Sequence, residues 1–166
     1  MNKLIVLSGV PGSGKSYFCE RLKQRMKSHV YIISSDELRT IIGGSRKVFT
    51  NEDLMWEMYY KLIDAYALDP NGIVVLDSTN SLHKFRIDKI KPYKHLFKEI
   101  DLVIWKLDKK TVFYQNEHRE FPIPSEALEK LYSTHQDADK IDYDFYHNVF
   151  VIENNNIDLA ISSICN

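Results

Sequence analysis

Residues 9–16 run Gly9-Val10-Pro11-Gly12-Ser13-Gly14-Lys15-Ser16, which satisfies every fixed place of the pattern G-x-x-x-x-G-K-[ST]. Glycines there let the backbone wrap closely around phosphate, with successive N–H groups turned inward as an anion nest. A helix beginning at the end of such a loop adds the favourable end of its dipole. Lys15 is then placed to reach β- and γ-phosphate oxygens, and the Ser16 hydroxyl to ligate Mg²⁺. The segment therefore points to a nucleoside triphosphate, ATP in the first instance, with Mg²⁺. Gly9, Pro11, Gly12, Ser13, Gly14, Lys15 and Ser16 are the expected nucleotide-binding residues, and Ser16 the expected metal ligand.

The fate of the γ-phosphate depends on what else reaches that loop. An apolar run ends in Ser34-Ser35-Asp36, and Arg39 follows one helical turn later. In a parallel sheet the strand ends share one crevice, so Asp36 is placed to take a proton from an incoming hydroxyl. Arg39 on the same face can hold an anionic group of the acceptor. The bland alternative is a helix-capping Asp with a surface Arg. A further apolar run ends in Asp77-Ser78-Thr79-Asn80, where Asp77 can hold Mg²⁺ through water. Thr79 and Asn80 would line the same cleft on the acceptor side. Arg119 lies at the end of a helical stretch closed by Phe121-Pro122-Ile123-Pro124, so residues 111–124 read as a stiff lid that brings Arg119 to the transferring phosphoryl group.

These residues need a scaffold. Leu4–Leu7, Val30–Ile33, Ile73–Leu76, Leu102–Trp105 and Val149–Ile152 are short continuous apolar runs, and helical patterns separate them. The helices are expected over 16–26, 37–42, from Thr50 or Asn51 to Tyr66, over 111–120, after Pro124, and from Ile157. Gly43-Gly44 and Asp69-Pro70-Asn71-Gly72 punctuate them. Strands without polar alternation, joined by helices, predict an α/β fold: a three-layer α/β/α sandwich with a mostly parallel sheet of about five strands and a helical lid. With no linker or repeat in view, residues 1–166 read as a single domain.

Composition narrows the partners. The chain has 22 Lys+Arg against 23 Asp+Glu, a net charge of −1, which excludes binding nucleic acid by bulk attraction. A polyanion would need a local patch. Lys84, Arg86, Lys89, Lys91, Lys94 and Lys98 supply one, with Phe85, Tyr93 and Phe97 interleaved for base stacking. The competing reading is a solvated basic face whose rings turn into the core. Farther on, the acidic run 137–144 reads as a solvated loop. The two cysteines, Cys19 and Cys165, suit a reducing cytoplasmic setting rather than a disulfide scaffold. The six histidines show no ligand spacing, so no zinc is expected. The four-residue apolar run near the start is too short for a leader or a membrane span.

Taken together, the phosphate loop, Ser35-Asp36-Glu37-Leu38-Arg39, Asp77-Ser78-Thr79-Asn80 and Asn116-Glu117-His118-Arg119 before Pro122 resemble the bacteriophage-type 5′-hydroxyl polynucleotide kinases, within the small phosphate-loop kinases. The resemblance spans residues 1 to about 135. It implies ATP-dependent phosphoryl transfer to the 5′-hydroxyl end of DNA or RNA, with Lys15, Asp36 and Arg119 catalytic, Asp36 the base, and Arg119 also nucleotide-binding through ATP phosphates from the lid. Arg39 would bind the phosphate on the 3′ side of the terminal nucleotide. It also implies a phage-encoded enzyme acting in the host cytoplasm, here without the phosphatase domain of the phage enzymes. Two places differ from the phage-type pattern: Gln115 precedes Asn116 in the lid, and Ser78 stands where an acid directly precedes Thr-Asn. The Asp-x-Thr-Asn order is commoner in the wider kinase group. The alternatives are therefore a kinase of a small acceptor (nucleoside, nucleotide or sugar) or of a modified base in DNA, and a non-catalytic ATP-binding module.

Overall fold

The computed structural model describes residues 2–27, 29–153 and 156–165. Its elements are β1 (Lys3–Ser8), α1 (Lys15–Arg25), β2 (Val30–Ser34), α2 (Ser35–Gly43), α3 (Glu52–Tyr66), β3 (Ile73–Asp77), β4 (Glu99–Trp105), α4 (Lys109–Glu117), α5 (Ser125–Thr134), α6 (Lys140–Phe145), β5 (Asn148–Ile152) and α7 (Ile157–Cys165). A π-helical turn at Lys84–Asp88 and a 3₁₀ turn at Lys91–Leu96 lie between β3 and β4. All five strands are parallel, in the order β2-β3-β1-β4-β5. The fold is the expected three-layer α/β/α sandwich. No helix among the described residues is long and apolar enough to cross a membrane.

The apolar strands are explained by burial on both faces. On one face Leu4 and Val6 pack with Leu38, Met55, Tyr59 and Ile63 of α2 and α3. On the other, Ile5 and Leu7 pack with Phe18 and Leu22 of α1 and with Ile161 and Ile164 of α7. The period-2 pleat thus divides one tetrapeptide between two cores. A third, small cluster of Val10, Val112 and Leu128 seats the lid on the phosphate loop.

Parallel register brings the C-terminal ends of the strands to one edge: Ser8 lies beside Ile104, and Ser34 beside Asp77. The loop after β1, the start of α2 and the turn after β3 therefore open into the same crevice.

Two expectations are corrected here. The acidic run is not a loop: Lys140–Phe145 is helical, capped by a reciprocal pair of hydrogen bonds between Asp139 and Asp142. The basic stretch is not one surface either. Arg86 is 0% exposed and forms a bidentate pair with Asp142, at 2.8 and 2.9 Å. Phe97 is buried, Tyr93 stacks on Tyr60 at 6.0 Å, and Lys94 donates to the Phe145 carbonyl at 2.8 Å. Sequence separation hides the pairing, because Arg86 and Asp142 lie 56 residues apart. His83, Asp139 and Asp142 also converge, but the Asp142 carboxylate is already spent on Arg86.

Arg86 is the hub under the crevice. Its NH1 donates to the Ser8 hydroxyl at 3.3 Å and the Gln136 carbonyl at 2.7 Å, and its NH2 to the Asp137 carbonyl at 2.9 Å. Tyr146 donates to the Arg86 carbonyl. Breaking a buried pair by removing one partner leaves an uncompensated charge, so Arg86→Met should destabilise by about 3–5 kcal/mol in urea denaturation. Burial alone would raise the Asp142 carboxyl, but the hydrogen bonds and charge of Arg86 outweigh it and hold the pKa below its ordinary value. Its contribution is thus complete above the unfolded carboxyl's pKa of about 3.9 and is lost as pH falls through the lower folded value. Asp142→Asn should flatten that acid limb of the stability curve.

Candidate active site

The loop after β1 is shaped before any ligand arrives. Gly12 sits at φ 83°, and a Cβ there would lie 3.1 Å from the Asn116 backbone nitrogen of α4. The phosphate loop and the lid therefore touch at a place only glycine fits. Gly14 precedes α1 without a side-chain cap, and no acid stands in the first turn, so the helix's first N–H groups face the crevice unopposed. Lys15 Nζ donates to the loop carbonyls of Gly9 at 2.8 Å and Val10 at 3.2 Å. Burial lowers its pKa, and the Asp77 charge works against that. Gly9 N–H donates to the Thr79 carbonyl at 3.0 Å, so Gly9 offers the loop its carbonyl rather than its amide.

Apart from Gly9 and Val10, which do not reach it, these groups line a cavity of about 1220 Å³. Pro11, Gly12, Ser13, Gly14, Lys15 and Ser16 form its nucleotide end. The Ser13 Oγ is buried with no hydrogen-bond partner among the described residues. On the adjoining wall Trp105 packs edge-on against Phe18, with ring centroids 5.9 Å apart at 87°. Its indole Nε1 is likewise buried and unpartnered among the described residues.

Asp36, Arg39, Asp77, Thr79 and Arg119 line the same cavity. Ser34, not Asp36, caps α2: its hydroxyl accepts from the Glu37 N–H at 3.3 Å. The Asp36 carboxylate is thereby left for Arg39 NH1, at 3.0 Å, and for Arg46 NH1, at 3.7 Å. Arg39 also forks onto Glu52, with Nε to Oε1 at 2.7 Å and NH2 to Oε2 at 3.0 Å. Burial acts to lower the Arg39 pKa, but Glu52 and Asp36 outweigh it and raise it. The Asp77 carboxylate has no hydrogen bond or ion pair with another described side chain. Burial pushes its pKa up, and the Lys15 charge opposes this. A carboxyl group facing the cavity that Ser16 also lines supplies, with that hydroxyl, oxygen ligands that fit a divalent cation.

The lid is α4, α5 and the turn between them. α4 starts earlier than expected because Asp108 caps it, accepting from the Thr111 N–H at 2.9 Å. Asn116 is buried and clamps the turn: its amide donates to the Ile123 carbonyl at 2.9 Å and accepts from the Ile123 N–H at 3.1 Å. Arg119 sits inside the clamped segment with no hydrogen bond or ion pair to a described residue. Burial lowers its pKa, and the Asp36 charge opposes that.

The structure departs from the expectations in two directions. Asn80 does not line the cleft. It adopts φ 41°, donates to the Leu7 carbonyl at 2.8 Å, and accepts the Ser8 hydroxyl on its own carbonyl at 2.9 Å. It latches the turn after β3 to the end of β1. The basic residues from Lys84 to Lys98 do not line the cavity either, whereas Arg46 and Lys47 do, with Phe49 and Trp56 beside them. Sequence reading passed over these four: Arg46, Lys47 and Phe49 fall in a loop, which carries no periodicity, and Trp56 is on α3. The signal available was a pair of cations straight after Gly43-Gly44.

A family model described as "AAA domain" matches residues 4–137. Among solved structures, Kti12 of Chaetomium thermophilum in complex with ADP-AlF3 superposes with a TM-score of 0.73 at 19% identity, covering 97% of this chain and 96% of that one. A gluconokinase of Sinorhizobium meliloti 1021 gives 0.63 at 16% identity, over 98% and 93%. The Pnkp1/Rnl/Hen1 RNA repair complex gives 0.64 at 21% identity, over 80% of this chain and 43% of that one. A curated movement protein, TGB1 of Peanut clump virus, is 29% identical over 75 residues, and the aligned part spans 42% of this chain and 17% of that protein. Such likenesses carry the fold, a phosphate-loop, kinase-like one, and leave the acceptor open. The strand order, the loop after β1 and the match over residues 4–137 agree: the chain belongs to the AAA domain family.

Proposed function

We propose that the protein is an ATP-dependent kinase acting on the 5′-hydroxyl end of DNA or RNA, with its 166 residues working as one kinase unit. The observation that carries this reading is Asp36. A carboxylate held by two guanidinium groups opens into the same cavity as Lys15 and Arg119. A protein that only bound nucleotide would need neither the carboxylate nor its cations. A neutral acceptor would leave Arg46, whose carboxylate neighbour is 3.7 Å away, without a hydrogen-bonded anion.

In this reading the triphosphate lies on the N–H groups of residues 12–16. Lys15 exchanges the Gly9 and Val10 carbonyls for phosphate oxygens. Ser16, with Asp77 alongside, would hold Mg²⁺, which when bound neutralises charge on the phosphates. Asp36 accepts the proton of the acceptor hydroxyl as that oxygen attacks the γ-phosphorus, and the bond to the β,γ-bridging oxygen breaks to release ADP. Lys15 and Arg119 stabilise the charge spread over the transferring group. The cations around Asp36 supply the positive side of the acceptor end. The lid must bring Arg119 in, and the Asn116 clamp sets where it arrives.

Asp36→Asn keeps the side chain's shape and removes its basicity. Transfer from γ-labelled ATP to a 5′-hydroxyl oligonucleotide should fall by about 10²–10⁴, while ATP still raises the thermal midpoint. Turnover within a few-fold of the parent would sink the base assignment. Competition decides the acceptor: labelling of gluconate or a nucleoside in preference to the oligonucleotide would replace this reading with a small-acceptor kinase. Asn116→Ala should cost about 1–3 kcal/mol, because two backbone groups of the lid turn lose their partner, and should raise the KM for ATP. An unchanged KM would show that the clamp does not position Arg119.

A further inference from the structure

Building on the kinase reading, we propose that Arg46 is the contact for the acceptor's phosphate and couples it to the lid, whereas Arg39 is a positioning residue that aims Asp36. The two arginines flank one carboxylate yet differ in what they have left to give. Arg39 spends Nε and NH2 on Glu52 and NH1 on Asp36. Its guanidinium is further confined near Phe49, at 5.0 Å, and Trp56, at 5.9 Å. Releasing it to a substrate would strand the Glu52 carboxylate without its partner. Arg46 makes no hydrogen bond to a described residue. Its nearest carboxylate oxygen is 3.7 Å away, an ion pair without a bond.

The turn that carries Arg46 is constructed to return it to the crevice. Gly44 ends α2 at φ 79°, a left-handed conformation, and its N–H donates to the Thr40 carbonyl. A Cβ on Gly43 would lie 2.8 Å from Val48, so the chain folds back tightly against the helix end. Val48 N–H donates to the Ser45 carbonyl at 3.1 Å, and Lys47 N–H to the Ser45 hydroxyl at 3.2 Å. This hairpin sets the Arg46 guanidinium over the ring of Phe121 in the lid, 4.1 Å from the centroid. A planar guanidinium stacks through its face and donates through its edge. Arg46 can therefore keep Phe121 and still present its N–H fork to a phosphate, beside the carboxylate that receives the hydroxyl proton. Anion capture at the acceptor end and closure of the Arg119 segment then share one side chain.

The experiment uses two 5′-hydroxyl oligonucleotides, with a phosphodiester or a neutral methylphosphonate at the first linkage. The parent protein should prefer the phosphodiester in kcat/KM by about tenfold or more, as expected for a charged hydrogen bond. Arg46→Ala should abolish that preference and raise the acceptor KM about tenfold, with the ATP thermal shift kept as proof of folding. Arg46→Lys, which keeps the charge and loses the flat face, should fall between. Arg39→Ala should lower kcat and retain the preference. If Arg46→Ala retains the preference and Arg39→Ala loses it, the phosphate belongs to Arg39 and this assignment falls alone. A parent protein that labels no oligonucleotide overturns the 5′-kinase reading and this assignment with it.

Discussion

A guanidinium fully withdrawn from water is costly unless every donor is used, and the floor of the crevice is arranged around meeting that demand at Arg86. Its partners come from the end of β1, far off in the chain, and from the α5–α6 connection and α6, which adjoin each other. Satisfying one side chain therefore fixes where β1 stops and where the segment after the lid re-enters the fold. The Asn80 latch works from the neighbouring strand and ties the turn after β3 to the same strand end. Phosphate loop, Asp77 and lid thus stand on a common base of buried polar contacts, with apolar packing on either side.

Above this floor the charges are few and placed with economy. Lys15 and Asp77 face each other across the nucleotide end, each held off its ordinary pKa first by burial and drawn back by the other's charge. Asp36 performs the same office for Arg119. A net charge of −1 for the whole chain is compatible with a site rich in cations because those cations are local and mostly opposed. On the proposed reading, contact with a strand end would be salt-sensitive and short-lived.

The parts that were legible in the sequence are those whose chemistry is contiguous. The phosphate loop announces itself because its glycines, lysine and serine must follow one another, and each strand because burial on both faces makes an unbroken apolar run. Asp36 is expected at the crevice by the rule that parallel strands end on one side, and it lines the cavity, although Ser34 caps the helix. What stayed hidden depends on distance. Arg86 read as one more cation on a basic strip, since its partner lies 56 residues on. Asn80 looked like a cleft residue because its left-handed backbone, which turns the amide inward, leaves no mark in composition. Arg46 and Lys47 fall in a non-repeating turn, where no periodicity shows which way a side chain returns.

The chain has only two tryptophans, and both line the cavity. Trp105 stands on the wall beside the phosphate loop, its indole N–H unpartnered among the described residues, and Trp56 lies near the Arg39 guanidinium. An indole's emission follows the polarity and hydrogen bonding of its surroundings, so each ring reports on its own half of the site. On the proposed reading, nucleotide arrival would perturb Trp105 and acceptor arrival Trp56, and because the two indoles emit in one band, a Trp→Phe change at either would leave the other as a reporter of its own half of the site.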